Sequence, residues 1–215
     1  MKQEKLSERL FTACNMIKND SKSIIDVGAD HGLTSIYLAK KGYNVLAIEN
    51  KVGPFNILSK AVTDAALNNL KCHLSDGIDY LPSDIDTCMI LGMGGYTITE
   101  ILEKNVNKLR QFKYILISPQ SAFTNPISFL LDNGFKNIDG QYIFEKHFYP
   151  ILLFENTKDS REYLSIEYLY GSIPCKNKDK LLLEMIDKEI QEDRKYNRES
   201  DAKNLEILKD QILKF

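Results

Sequence analysis

The chain has 215 residues, 43% hydrophobic and 27% charged, which is enough apolar material for one sizeable core and excludes a disordered polymer. Lys and Arg total 28 against 30 Asp and Glu, a net charge of −2, so a binder of nucleic acid that is basic along its whole length is excluded, though a local basic patch is not. Neither a run approaching ~18 apolar residues nor a secretory leader is visible, so no membrane association and a cytoplasmic location are expected.

Residues 6–18 place Leu6, Leu10, Ala13, Cys14 and Ile17 at helical spacing, with Ser7 positioned to cap the first turn. SIIDVG (23–28) reads as a buried strand entering a turn, followed by a helix over 33–41 that Gly42 ends. NVLAIE (44–49) is a second strand, and Pro54 opens a helix running to about Leu67. A third strand runs over 69–77, a fourth over 86–95 into a glycine turn, and a helix follows over 97–110. YILISPQ (114–120) is a fifth strand, then a helix at 126–133, then two β runs near 137–145 and 150–155 with no helix between them. Alternation of strand and helix implies an α/β fold with a mostly parallel, seven-stranded sheet covered on both faces, its last two strands an edge hairpin. After about residue 175 the chain is heavily charged and lacks Gly and Pro. Its apolar residues recur at helical spacing with a break near 197–201, so a C-terminal αα-hairpin is expected. This divides the chain into a domain over 1–172 and a helical hairpin over 173–215.

The four cysteines, Cys14, Cys72, Cys88 and Cys175, show neither a C-x-x-C pair nor zinc spacing, and read as small buried hydrophobes. His31, His73 and His147 are not spaced as ligands either, and no metal is expected.

In doubly wound sheets, ligands bind beyond the carboxyl ends of the strands. The first strand ends in Asp26-Val27-Gly28-Ala29-Asp30-His31-Gly32. Asp30 stands where a dinucleotide fingerprint wants its second glycine, and a carboxylate there repels a diphosphate. The loop suits a cationic ligand instead, and S-adenosylmethionine carries a sulfonium and an ammonium. Glu49 and Asn50 follow the second strand, where an acid accepts from ribose hydroxyls. Asp76 and Gly77 follow the third, where a carboxylate can accept from an adenine amino group, and Gly92-Met93-Gly94-Gly95 follow the fourth. Acid or glycine at four successive strand ends points to a class I methyltransferase core of Rossmann-like type. A nicotinamide-dependent oxidoreductase and a non-catalytic RNA-binding module are the competing readings.

LSERL near the start, DVGADHG, AIEN-x-x-GPF (47–55), SDGID (75–79), GMGG (92–95) and ISPQ (117–120) resemble the bacterial tRNA (adenine-22 N1)-methyltransferase family. Where that family carries Gln-Pro-Asn after the fifth strand, this chain has Ser118-Pro119-Gln120. The resemblance implies S-adenosylmethionine as methyl donor, S-adenosylhomocysteine as product, tRNA as substrate, and a coiled-coil-like C-terminal hairpin that helps hold tRNA. It also implies donor contacts from Asp26, Gly28, Asp30, His31, Glu49, Asn50, Asp76, Gly77, Gly92, Met93 and Gly94, and substrate contacts from Arg9, Gly95, Tyr96, Pro119 and Gln120. A monomer is expected.

Adenine N1 is unprotonated at neutral pH, so its methylation needs alignment more than a strong base; alignment alone supplies ~7–11 kcal/mol. A carboxylate near the exocyclic amine would offset the charge of the methylated ring, and Asp30 is the candidate catalytic residue. N1 lies on the pairing edge, so the adenine must be unpaired or flipped. Tyr96 and Phe123 are candidates to stack on it. Arg9 and Lys51 are candidates for attracting phosphate, with Lys176, Lys178, Lys180, Arg194, Lys195 and Arg198 on the hairpin.

Overall fold

The computed structural model describes residues 5–215. Five parallel strands run from one edge of the sheet across its middle: β1 (Ser23–Val27), β2 (Asn44–Glu49), β3 (Leu70–Leu74), β4 (Thr87–Leu91) and β5 (Tyr114–Ser118). Every residue of β1, β4 and β5 is buried, as expected where helices cover both faces. Two antiparallel strands, β6 (Phe135–Glu145) and β7 (His147–Asn156), complete seven strands in the order β3-β2-β1-β4-β5-β7-β6. The sheet is therefore mixed, and the edge hairpin joins it through β7.

Alternation along the strands sends side chains to two cores. Ile25 and Val27 of β1 face α4 (Gly95–Lys104), α5 (Val106–Leu109) and α6 (Thr124–Asp132). Ile24 faces the opposite layer of α1 (Glu8–Met16), α2 (Leu33–Lys40) and α3 (Val52–Ala65). Asp26 follows Ile24 on that face by strand periodicity, so an acid stands at the end of an apolar row. Ser7 caps α1, its hydroxyl accepting from the Leu10 amide at 3.4 Å. Cys14, Cys88 and Cys175 are buried and Cys72 half-buried, and burial pushes the Cys14 and Cys175 thiols up to about 12.

The single helix expected over 97–110 is two, α4 and α5, divided at Asn105. The Asn105 amide donates to the Ile101 carbonyl at 3.1 Å, a local bond of the kind that competes with helix continuation. Two short helices, α7 (Ser165–Tyr170) and α8 (Ser172–Lys176), follow β7 where no element was expected. Gly171 separates them at φ 89, a conformation that favours glycine. The tail is α9 (Lys180–Lys195) and α10 (Glu199–Lys214). They run in opposite directions side by side, as the pairs Asp187–Lys209 and Arg194–Glu206 require. Their buried residues Leu182, Met185, Ile186, Ile190, Ala202 and Ile212 share one cluster with Tyr142 of β6 and Ile166 and Tyr170 of α7. The tail is thus seated on the sheet edge, and the expected boundary at 172/173 falls inside α8.

From the level where Ile117 faces Leu152, the β6–β7 ribbon continues five residues further to His147, roughly 17 Å at ~3.4 Å per residue. That overshoot brings Glu145 and Tyr149 to the N-terminal helix at the rim of the parallel strands.

Candidate active site

The strand order reverses between β1 and β4, and a cavity of 270 Å³ opens at their carboxyl ends. It is lined by Asp26, Gly28, Asp30 and His31 of the first loop, Gly92 of the fourth, Arg9 of α1 and Gln120 after β5. Of the residues expected at the site, these seven are brought together.

Asp26 is buried at 3% exposure, and its Oδ2 accepts from the hydroxyls of Thr34 (2.7 Å) and Ser35 (2.6 Å) on the first turn of α2. Sequence reasoning missed both hydroxyls; the signal was a pair of Ser/Thr residues eight and nine positions past a strand acid. Burial raises the Asp26 carboxyl above the ordinary range, only partly opposed by these two bonds. The native state therefore keeps a proton where the unfolded chain, with an ordinary pKa near ~3.9, has lost it, and stability falls as pH rises from there through the raised folded value. Asp26→Asn keeps an acceptor oxygen for both hydroxyls. Without ligand it is expected to melt at or above the wild-type temperature at neutral pH and to show less decline with pH. Thermal melts between about pH 4 and 8 check this, and a variant melting well below wild type at neutral pH would refute it.

Gly28 turns the chain at φ 73, and a Cβ there would lie 2.1 Å from Met93 Cε. The Met93 side chain therefore lies directly over Gly28. The amides of Gly28 and Ala29 are not available to a ligand, because both donate to the Ile48 carbonyl at 2.9 and 3.0 Å. Asp30 is held at φ 48, with its side chain 68% exposed and Oδ2 2.8 Å from His31 Nδ1.

The acids after β2 and β3 lie on the same rim outside the cavity. Glu49 is buried, and its Oε1 accepts from the amides of Asn50 (3.0 Å) and Lys51 (3.2 Å) at the start of α3. Asn50 donates to Asp76 Oδ1 at 3.3 Å, so the second and third loops are linked. Lys104, not anticipated from the sequence, donates to Asp76 (3.1 Å) and Asp79 (2.9 Å). It holds the Asp79 carboxyl below the usual range. Gly77 sits at φ 52 against Ile101.

The fourth and fifth loops are joined by backbone bonds that extend the sheet past its rim. Gly92 donates to Ser118 (3.1 Å), Gln120 to Met93 (2.8 Å) and Gly95 to Ser121 (2.8 Å). Gly94 packs near the Ser121 hydroxyl. Gly95 and Pro119, expected to touch the substrate, are buried. A Cβ on residue 95 would lie 2.0 Å from the Ala122 carbonyl oxygen, so this glycine serves the close approach of two loops. Tyr96, one residue on, is 75% exposed. Phe123 packs half-buried against the core. His73 is exposed and stacks on Tyr80 at 3.9 Å, away from the cavity.

Arg9 is 9% exposed. Its amide donates to Glu145 Oε1 at 2.8 Å, and its guanidinium lies 4.8 Å from the Tyr149 ring centroid. It is thus a cation of the cavity wall. On the tail, Arg194 and Arg198 are paired with Glu206 and Asp193. Among the described residues no group of three or more His, Cys, Asp or Glu is placed to hold a metal, and no helix is long and apolar enough to cross a membrane.

The model of the tRNA (adenine(22)-N(1))-methyltransferase family, TrmK, matches residues 24–215. The chain belongs to this family. A curated relative in Mycoplasma genitalium, named "Putative tRNA methyltransferase MG248", is 28% identical over 158 residues, 71% of each chain. A Streptococcus agalactiae protein of the NADB-Rossmann superfamily superimposes with a TM-score of 0.84 at 25% identity, over 98% of this chain and 97% of that one. TrmK from M. capricolum, solved with S-adenosyl-homocysteine, gives 0.82 at 24% identity over 98% and 97% of the two chains. The B. subtilis m1A22 tRNA methyltransferase TrmK gives 0.82 at 24% over 97% and 99%. These likenesses show a shared Rossmann-like fold over nearly the whole length of the chain.

Proposed function

We propose that this TrmK chain transfers a methyl group from S-adenosylmethionine to N1 of adenine 22 in tRNA. The observation that carries this, beside family membership, is the rim cavity with its buried acid, buried cation and exposed Asp30. Its residues fit the donor: Asp26 is a buried acid suited to a cationic group, and Arg9 Nε is a buried donor without a hydrogen-bond partner. A dinucleotide fits less well, since Asp26 and Asp30 both line the space a diphosphate would enter.

When bound, S-adenosylmethionine supplies the electrophilic methyl. Asp26, Gly28, Ala29 and His31 would hold the amino-acid arm. Glu49, Asn50, Asp76 and Gly77 hold the nucleoside on the open rim, with Lys104 and Asn50 fixing the Asp76 carboxylate. Met93 and the backbone of Gly92 and Gly94 would hold the donor between its two halves. Asp30, steadied by His31, offsets the positive charge of the methylated ring. No general base is required, because N1 offers its lone pair directly. Tyr96, exposed beside the rim, would stack on the incoming base, and Gln120 in the cavity wall would contact it. A flipped or unpaired adenine is needed to present N1.

We divide the chain into a methyltransferase unit over 1–172 and a helical hairpin over 173–215, the latter a second surface for tRNA, and place the protein in the cytoplasm as a monomer. Incubation with unmodified tRNA and S-adenosylmethionine, followed by mass-spectrometric mapping, is expected to show one 1-methyladenosine at position 22. Methylation elsewhere would change the substrate assignment. Binding of tRNA with no methylation would favour the non-catalytic RNA-binding module instead.

A further inference from the structure

The β6–β7 ribbon ends beyond the rim in the tight turn Glu145-Lys146-His147, where Glu145 faces His147 in the ladder. Glu145 accepts from the amide of Arg9, a residue of the cavity wall, so the turn stands beside the cavity mouth. Phe144 precedes Glu145 and points to the other face of the ribbon, opposite Phe148. Alternation along β7 puts Phe148 on the face of Leu152 and Phe154, which pack in the core beneath α4 and α6. Tyr96, the second residue of α4, is on that same side of the sheet.

The Phe144 ring is 49% exposed. Phe148, half-buried against the tail cluster, backs it, with ring centroids 4.9 Å apart and planes at 55°. Lys146, two residues on, is exposed and pairs with no carboxylate among the described residues. One half-exposed ring is far too small for a stable protein interface, which buries about 800 Å² on each side. It matches a single nucleobase, and an unpaired cation at the same tip matches the phosphate beside that base.

We infer that Phe144, backed by Phe148, is a second stacking platform for tRNA: it takes an unpaired base next to the target adenine, while Lys146 contacts the adjoining phosphate. This rests on the tRNA reading above and extends it, with Tyr96 the ring for the base that reacts and Phe144 the ring for a base that does not. Extracting an adenine breaks its stacking on its neighbours, and a ring that receives a neighbour offsets part of that cost.

Fluorescence anisotropy with labelled, unmodified tRNA in the presence of S-adenosylhomocysteine tests this, together with initial rates of methylation at saturating S-adenosylmethionine. Phe144→Ala is expected to weaken tRNA binding about 10-fold and to raise KM for tRNA to match, with calorimetric affinity for the donor unchanged. Phe144→Tyr keeps the ring and is expected to stay within about 2-fold of the wild type. Lys146→Gln is expected to flatten the slope of log affinity against log salt by about 0.7, the share of one phosphate contact on a single strand. Unchanged tRNA binding in Phe144→Ala, or an equal loss in Phe144→Tyr, would overturn the inference. An unchanged salt slope in Lys146→Gln overturns it as well, including where Phe144→Ala does not fold. A wild type that neither binds nor methylates tRNA would instead overturn the tRNA reading itself, and the inference with it.

Discussion

Asp30→Asn is expected to lower turnover about 10²–10³-fold, the loss seen when one preorganised electrostatic partner of a transition state is removed. Donor and tRNA affinities should change little. Asparagine tolerates the left-handed backbone that Asp30 adopts at φ 48, and it keeps a polar side chain beside His31, so the loop should hold its shape. What is removed is negative charge, and charge matters only when the ring becomes cationic. The effect therefore belongs in kcat, with KM for both substrates nearly unchanged. Single-turnover methylation with saturating donor and tRNA reads it directly. A fall confined to donor affinity would make Asp30 a binding group for the donor's ammonium and leave the reaction without an assigned catalytic carboxylate.

Gly95→Ala is expected to be the most damaging single methyl group on the rim. The added carbon would stand 2.0 Å from the Ala122 carbonyl oxygen and 2.7 Å from that of Ser121. Both obstacles are backbone, so no side chain can swing aside. The substitution must pull α4 away from the loop after β5 and stretch the Gly95–Ser121 bond. Overpacking of this kind costs about 3 kcal/mol. For a chain of this size that corresponds to a fall of roughly 6–12 °C in Tm. The adjacent Tyr96→Ala is a matched control: its ring is 75% exposed, so its loss should shift stability by no more than about 0.5 kcal/mol. Differential scanning calorimetry of the two variants decides it. A Gly95→Ala melt matching the wild type would mean that the two loops are not held together as described.

The sequence showed four of the five parallel strands clearly, because β1, β2, β4 and β5 are short apolar runs cut off by an acid, a glycine or a proline, whereas the edge strand β3, LKCHL, is legible chiefly by the Ser-Asp-Gly that ends it. The same endings located Asp26, Gly28, Asp30, Glu49, Asp76 and Gly92 on the rim, since parallel strands deliver their carboxyl ends to one side. The break at Asn105 was hidden because Ile98, Leu102 and Leu109 stay on one helical face across it. The helices α7 and α8 span 6 and 5 residues, too short to display a period. The burial of Arg9 was hidden for a different reason. On a helical wheel it borders the apolar face, and Glu145, 136 residues away, together with Tyr149 and Ser118, holds it in the wall. Long-range contacts of that sort leave no local trace. Gly95 was read by its residue type as room for a ligand, when the room is filled by a neighbouring carbonyl.

Strand β6 serves two parts of the protein at once. Tyr142 points into the cluster shared with the tail, and three residues later Glu145 anchors the helix that carries Arg9. A version of this enzyme shortened at residue 173 would lose the cover over Tyr142 and leave an outermost strand bare. The tail is therefore no detachable appendage. Its seating and the shape of the rim cavity are joined through a span of four residues, and a change that loosens one loosens the other.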